Sequence, residues 1–234
     1  MNQNSEVIRG KFFAPGYNNQ QCPRIKKDKQ LQHRTGKMVD QGRKGFPRVH
    51  RYITTHNHDG EAVFLSSCQV PECAPFRTAG EDGELALLYS TDTFPVQCQD
   101  ELDVAVYDSS LHMPPGITPE NGTVFRVIDM QPLKESPMHR TVTVDYSVVL
   151  EGEVDLVLDS GEKRTLRQGD VTIQRGTAHS FRNRSTSSWC RLLFVFMPMQ
   201  QLTIGGKKME EEWYDERYET KDEQDMKEQL GYHD

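Results

Sequence analysis

The chain has 234 residues, enough for one sizeable domain or one domain with extensions, and its apolar fraction of 35% is low for a chain packed along its whole length. Its net charge of −7 is unevenly spread: residues 1–52 hold twelve Lys/Arg against three Asp/Glu, and residues 207–234 hold five against eleven. No run approaches the ~18 apolar residues of a membrane span, and the start of the chain lacks the apolar core of a signal peptide. A cytoplasmic protein without a membrane partner is expected. The basic arm has neither an aromatic-interleaved basic run nor zinc-finger spacing, so nucleic acid is not expected as a partner. The five cysteines are odd in number and scattered, and read as free thiols.

Residues 1–45, rich in Asn, Gln, Lys, Gly and Pro without periodicity, read as a polar basic arm, extended or disordered. A domain spanning 46–206 follows. Residues 48–67 read as strand, turn, strand around Asp59-Gly60. His56 and His58 beside that turn are read as turn residues rather than a metal pair. Residues 69–82 are expected as a loop, 86–96 as an edge strand ended by Pro95, and 108–122 as a second loop. Strands are then expected at 123–130, at His139–Leu150 and at 153–159 across the Glu151-Gly152 turn. Shorter ones follow near 163–166, 171–174 and 178–183, and a last one at 189–197. Many short strands punctuated by Gly turns predict a closed or sandwiched all-β unit, its core at about 120–205. From 207 onward Met209, Trp213, Tyr218, Met226 and Leu230 recur near multiples of four, which predicts an acidic helical tail over 207–234.

Two segments carry the chemistry. Counting back from Gly152 in PMHRTVTVDYSVVLEGEVDLVLDSGE places Asp145 at an acidic position, Thr141 four residues before it and His139 two before that. GDVTIQRGTAHSFRN holds Gly169, Gly176, His179 and Asn183. The first segment resembles the cupin motif G-x5-H-x-H-x(3,4)-E-x6-G, with Thr141 where a second histidine usually stands and Leu133 where the opening glycine usually stands. The second resembles G-x5-P-x-G-x2-H-x3-N, one residue shorter and with Arg175 near the expected proline. The likeness covers 133–197, and more loosely 120–205. The wording of both segments is similar to a subgroup of small single-barrel cupins, many fungal, some of which serve natural-product pathways as decarboxylases, dehydratases or isomerases.

The residues support a site independently of the family. Side chains alternate along a strand, so His139, Thr141, Thr143, Asp145 and Ser147 share one face, as do His179, Phe181 and Asn183. His139, Asp145 and His179 are the candidate catalytic residues. Two imidazoles and a carboxylate on an inner face can bind one divalent metal (Fe, Mn, Zn or Ni) or do acid–base work without one. Both readings stand at this level. Arg126 and Arg191, each in an apolar strand, are candidates to hold an anionic substrate group. Thr141, Phe181 and Asn183 are the other candidate substrate contacts.

The resemblance implies a cupin barrel (a double-stranded β-helix or jelly roll) with added amino-terminal strands and a carboxy-terminal helix. It also implies a homodimer formed through edge strands and a small-molecule substrate, an oxygenated acid or polyketide-like intermediate. Decarboxylation or dehydration is the leading reaction. A metal-free isomerase or cyclase, a non-haem iron dioxygenase and a non-catalytic binding cupin are the alternatives.

Overall fold

In a computed structural model of the chain, the residues described are 46–66, 70–79 and 83–214. The expected arm at 1–45 and most of the expected tail lie outside them. Alternating apolar and β-branched residues give mainly strands. In chain order these begin with β1 (Thr54–His56), β2 (Ala62–Phe64), β3 (Phe76–Ala79) and β4 (Gly83–Ser90), followed by one helix, α1 (Leu102–His112). Next come β5 (Val124–Met130), β6 (His139–Arg140), β7 (Thr143–Glu151), β8 (Glu153–Leu158) and β9 (Lys163–Arg167). The series ends with β10 (Val171–Arg175), β11 (His179–Arg182), β12 (Cys190–Pro198), β13 (Thr203–Ile204), β14 (Lys207–Lys208) and β15 (Glu212–Trp213).

Two antiparallel sheets make the barrel. One has six strands in the order β10-β7-β12-β5-β4-β3, the other five in the order β15-β6-β11-β8-β9. Residues opposite one another in a ladder share a face, so the register identifies the inner wall. Phe196 lies between Val124 and Asp145, Phe194 between Arg126 and Ser147, and Leu192 between Ile128 and Val149. The five-stranded sheet answers with Val154 and Phe181, which join Val124, Val149, Leu192, Phe194 and Phe196 in one buried cluster. The turn from β7 to β8 needs Gly152, whose φ is +80 and whose missing Cβ would stand 2.8 Å from the Trp189 carbonyl oxygen.

Several sequence expectations change. The single strand expected over His139–Leu150 is two, because the chain leaves the five-stranded sheet after Arg140 and enters the six-stranded one at Thr143. The expected edge strand at 86–96 is β4, an inner strand between β5 and β3 that ends at Ser90. The loop expected at 69–82 contains β3, and the one at 108–122 begins with the last turn of α1. That helix packs on β4, where the Tyr107 hydroxyl donates to the Leu87 carbonyl at 2.9 Å and the Tyr89 hydroxyl to Asp103 at 2.7 Å. The tail does not begin as a helix at 207: β14 and β15 occupy 207–208 and 212–213. No helix among the described residues is long and apolar enough to cross a membrane.

Leu133, at the position of the motif's usual glycine, has φ +59 and is 65% exposed. Its N–H donates to the Ser185 carbonyl at 3.0 Å. The turn therefore holds a leucine in the left-handed backbone region, which its side chain disfavours.

Candidate functional site

The site is assembled by pairing across β6 and β11. His139 is directly opposite His179 in that ladder, and the ring centroids are 4.7 Å apart. One strand further out, Trp213 of β15 is opposite His139 and stacks on it at 4.6 Å with an interplanar angle of 9°. Toward the interior, Phe181 meets His179 edge-on at 5.6 Å and Phe194 at 5.5 Å, and Phe194 stacks on Phe196. A continuous row of rings thus runs from the imidazole pair into the barrel.

The two imidazoles are fixed alike. His139 Nδ1 lies 2.8 Å from the Pro137 carbonyl oxygen and His179 Nδ1 lies 2.9 Å from that of Thr177. A carbonyl only accepts, so each Nδ1 carries the proton and each Nε2 keeps its lone pair. Burial lowers the pKa of His139, opposed by the Pro137 carbonyl and the charge of Glu211. Burial, reinforced by His139, lowers that of His179 to about 4, opposed by the Thr177 carbonyl. Both rings are therefore neutral near pH 7.

Asp145 lies on the inner face of β7 in register with Gln174 of β10. Burial raises its pKa to about 6, partly opposed by a hydrogen bond from Thr143. Asp145 is 2% and Gln174 4% exposed, yet Asp145 Oδ1 and Gln174 Nε2 have no hydrogen-bond partner among the described residues. The Gln174 carbonyl is occupied, accepting from the Thr177 hydroxyl at 2.8 Å. Buried polar atoms of this kind are rare and costly, at about 1–3 kcal/mol each. Neighbouring hydroxyls pair among themselves: Thr141 with Thr143 at 2.6 Å, and Ser147 with Thr172.

The expected triad is only partly brought together. His139 and His179 meet, but among the described residues no group of three or more His, Cys, Asp or Glu is placed to hold a metal ion. Asp145 stands on the six-stranded sheet and both histidines on the five-stranded one, with the chain crossing between sheets at residues 141–142. Two imidazole Nε2 atoms suit a divalent metal as two of its ligands, but the donor set falls short of a centre held by three protein side chains.

The expected substrate contacts divide. Phe181 lines the site, and Thr141 gives its hydroxyl to Thr143. Arg126 is on the inner face, over the Phe196 ring at 5.7 Å, with Nη2 donating to the Pro115 and Gly116 carbonyls and Nε without a partner. Arg191 points away from the inner face and forms a two-pronged pair with buried Asp129, at 2.5 and 2.6 Å, while donating to the Pro47 carbonyl. Asn183 is engaged at both ends of its side chain. Its amide nitrogen donates to the Met130, Gln131 and Ser188 carbonyls, and its oxygen accepts from the Ser185 N–H, which ties loops together at one end of the barrel.

Sequence reasoning missed Gln174 and the role of Trp213. Both enter the site through pairing with strands distant in the chain, for which a local pattern carries no signal. A concavity of about 560 Å³ opens between Gly152, Asp155, Thr165, Asn183 and Trp189. Asp155 there is already bonded by the Thr165 hydroxyl at 2.7 Å and faces Arg184 at 3.6 Å. Volume and chemistry thus disagree on the location, and the free Nε2 atoms and unpartnered polar atoms favour the imidazole pair.

Comparison with known proteins bears on the family. The cupin-domain family model matches residues 126–196. "Phomopsin biosynthesis cluster protein C'" of Diaporthe leptostromiformis is 46% identical over 67% of this chain and 82% of its own length. "Oryzines biosynthesis cluster protein J" of Aspergillus oryzae is 37% identical over 72% of this chain and 93% of its own. "Cupin-domain-containing oxidoreductase fogC" of Aspergillus ruber is 40% identical over 71% of this chain and 80% of its own. The inner-face histidines, the two-sheet barrel and these relatives lead to one conclusion: the chain belongs to the cupin family.

Proposed function

We propose that the chain is a lyase of natural-product biosynthesis that dehydrates a small oxygenated intermediate by proton transfer between its own side chains. The observation that carries this is geometric: His139 and His179 meet at 4.7 Å between ring centroids, and Asp145 Oδ1 and Gln174 Nε2 are buried on the inner wall without a partner among the described residues. Burial also drives His179 and Asp145 apart, lowering the pKa of His179 to about 4 and raising that of Asp145 to about 6. Such a separation assigns acid and base. His179, through Nε2, takes a proton from the carbon beside a substrate carbonyl, and His139 beside it shares the neutral, aromatic-walled surroundings. Asp145 delivers its proton to the departing hydroxyl. The C–H pair becomes the new double bond, the C–O bond breaks and water leaves. The unpartnered Gln174 amide is suited to hold a substrate oxygen through this step.

The test is made in the host organism. Replacing the chain by its His179→Gln or Asp145→Asn variant should remove a product and accumulate a precursor heavier by one water. A precursor of equal mass would establish an isomerase instead, and unchanged products in both variants would overturn the site. For the purified enzyme, kcat/KM should be bell-shaped in pH, rising near 4 and falling near 6.

A second reading is favoured by one observation, that relatives such as fogC are named oxidoreductases. His139 and His179 would then hold an iron or manganese ion through their Nε2 atoms, the ion supplying electron transfer. A precursor differing from the product by two hydrogens, with metal that co-purifies and is lost in the His139→Ala/His179→Ala variant, would select this reading over dehydration.

A further inference from the structure

We propose that Trp213 is a positioning residue of the site, and that the strand carrying it is a strap that fixes the plane of His139 and limits access to its free Nε2. This rests on the imidazole pair being the functional site, as in the preceding reading. Three independent observations support it. The stack of Trp213 on His139 is nearly parallel, at 4.6 Å, and is set by register because the two residues are opposite in the β15–β6 ladder. The strap is anchored on both sides of Trp213: Arg140 Nε donates to the Glu210 carbonyl at 3.0 Å, Arg140 also pairs with Glu212, and the Tyr214 N–H donates to the Met138 carbonyl at 3.0 Å. Trp213 is still 51% exposed, so burial in the core is not what recommends a large aromatic ring there.

The physical consequence concerns orientation. The Nδ1 bond to Pro137 fixes one end of the His139 ring but permits rotation about that contact. Trp213 lies flat on the ring, at 9°, and His179 stands 4.7 Å away tilted by 46°, so rotation of the His139 ring would break the stack. The stack supplies packing beyond its area and adds no charge, so the Nε2 lone pair is preserved. An edge strand paired on one side also opens more readily than the rest of the sheet. The site therefore has a wall that can move without disturbing the barrel.

The experiment uses the full chain and needs no substrate. Diethyl pyrocarbonate acylates neutral imidazole nitrogen, and peptide mapping by mass spectrometry gives the rate at each histidine, with exposed His56 and His58 as internal standards. His139 should react slowly in the wild type, several-fold faster in Trp213→Ala, and at close to the wild-type rate in Trp213→Phe. Glu212→Ala, which loosens the strap while keeping the indole, should give an intermediate rate. Thermal melts of all three confirm that the barrel is intact. Equal His139 rates in wild type and Trp213→Ala would overturn the proposal, as would a Phe variant as reactive as the Ala variant. Shielding of His139 combined with an unchanged product profile when His179→Gln replaces the chain in the host would sink the dehydration mechanism and leave the strap standing.

Discussion

Two sets of buried polar groups in this barrel are alike in chemistry and opposite in how they are satisfied. Away from the inner wall, Asp129 and Arg191 form a two-pronged pair, and Asn183 has both ends of its amide bonded. On the inner wall, Asp145 Oδ1, Gln174 Nε2 and Arg126 Nε have no partner among the described residues. The first set defines the fold, because each group closes a gap between strand and loop. The second set costs stability, and in the function proposed above a substrate oxygen would complete it. Arg51 and Ser90 also carry buried polar atoms without a partner among the described residues, so the contrast holds between these two sets and not for every polar group.

Substitutions can sharpen that contrast. The largest effect should come from Asp129→Ala, which leaves a buried guanidinium unpaired and should cost about 3–5 kcal/mol in urea unfolding. The double variant Asp129→Leu/Arg191→Met should recover much of it. Asn183→Ala removes three donated bonds and should cost about 2–3 kcal/mol; a loss near zero would move Asn183 into the functional set. Asp145→Asn should behave in the opposite way, raising stability by roughly 3 kcal/mol at pH 8, since it removes a buried charge held against a pKa of about 6, while turnover falls. The smallest effect belongs to Leu133→Gly, which relieves a left-handed leucine and should stabilise by roughly 0.5–1 kcal/mol, seen as a modest rise in Tm without change in turnover.

Much of the barrel was legible in the sequence, because period-two alternation and Gly turns are local signals. The strands from Val124 to Pro198 fall within a residue or two of expectation, and the inward direction of His139, Asp145 and His179 followed from parity. What failed was non-local. Parity treated His139 and Asp145 as one strand's face, but the break at Thr141–Val142 sends the two to different sheets. Arg126 and Arg191 looked equivalent as arginines in apolar strands, and only the register of β5 on β12 places one inside and the other outside. Helix α1 was missed because LDVAVYDSSLH lacks a clear apolar stripe. Trp213 was read in a helical period, although its partner is a histidine 74 positions earlier.

The opposed tuning of Asp145 and His179 means that folding relocates a proton. In the unfolded chain the carboxyl titrates near 3.8 and the imidazole near 6.5, so between these values the imidazole carries the charge and the carboxylate is bare. In the folded chain, between about 4 and 6, the carboxyl is loaded and the imidazole is empty. Asp145 contributes stability that is full below 3.8 and lost as pH rises through 6, whereas His179 contributes stability that is full above 6.5 and lost as pH falls through 4. The two slopes oppose each other, leaving the pair's joint contribution nearly flat across the interval. If Asp145 and His179 are the acid and base proposed above, folding sets both in their starting states while the two groups together exchange no net proton with solution.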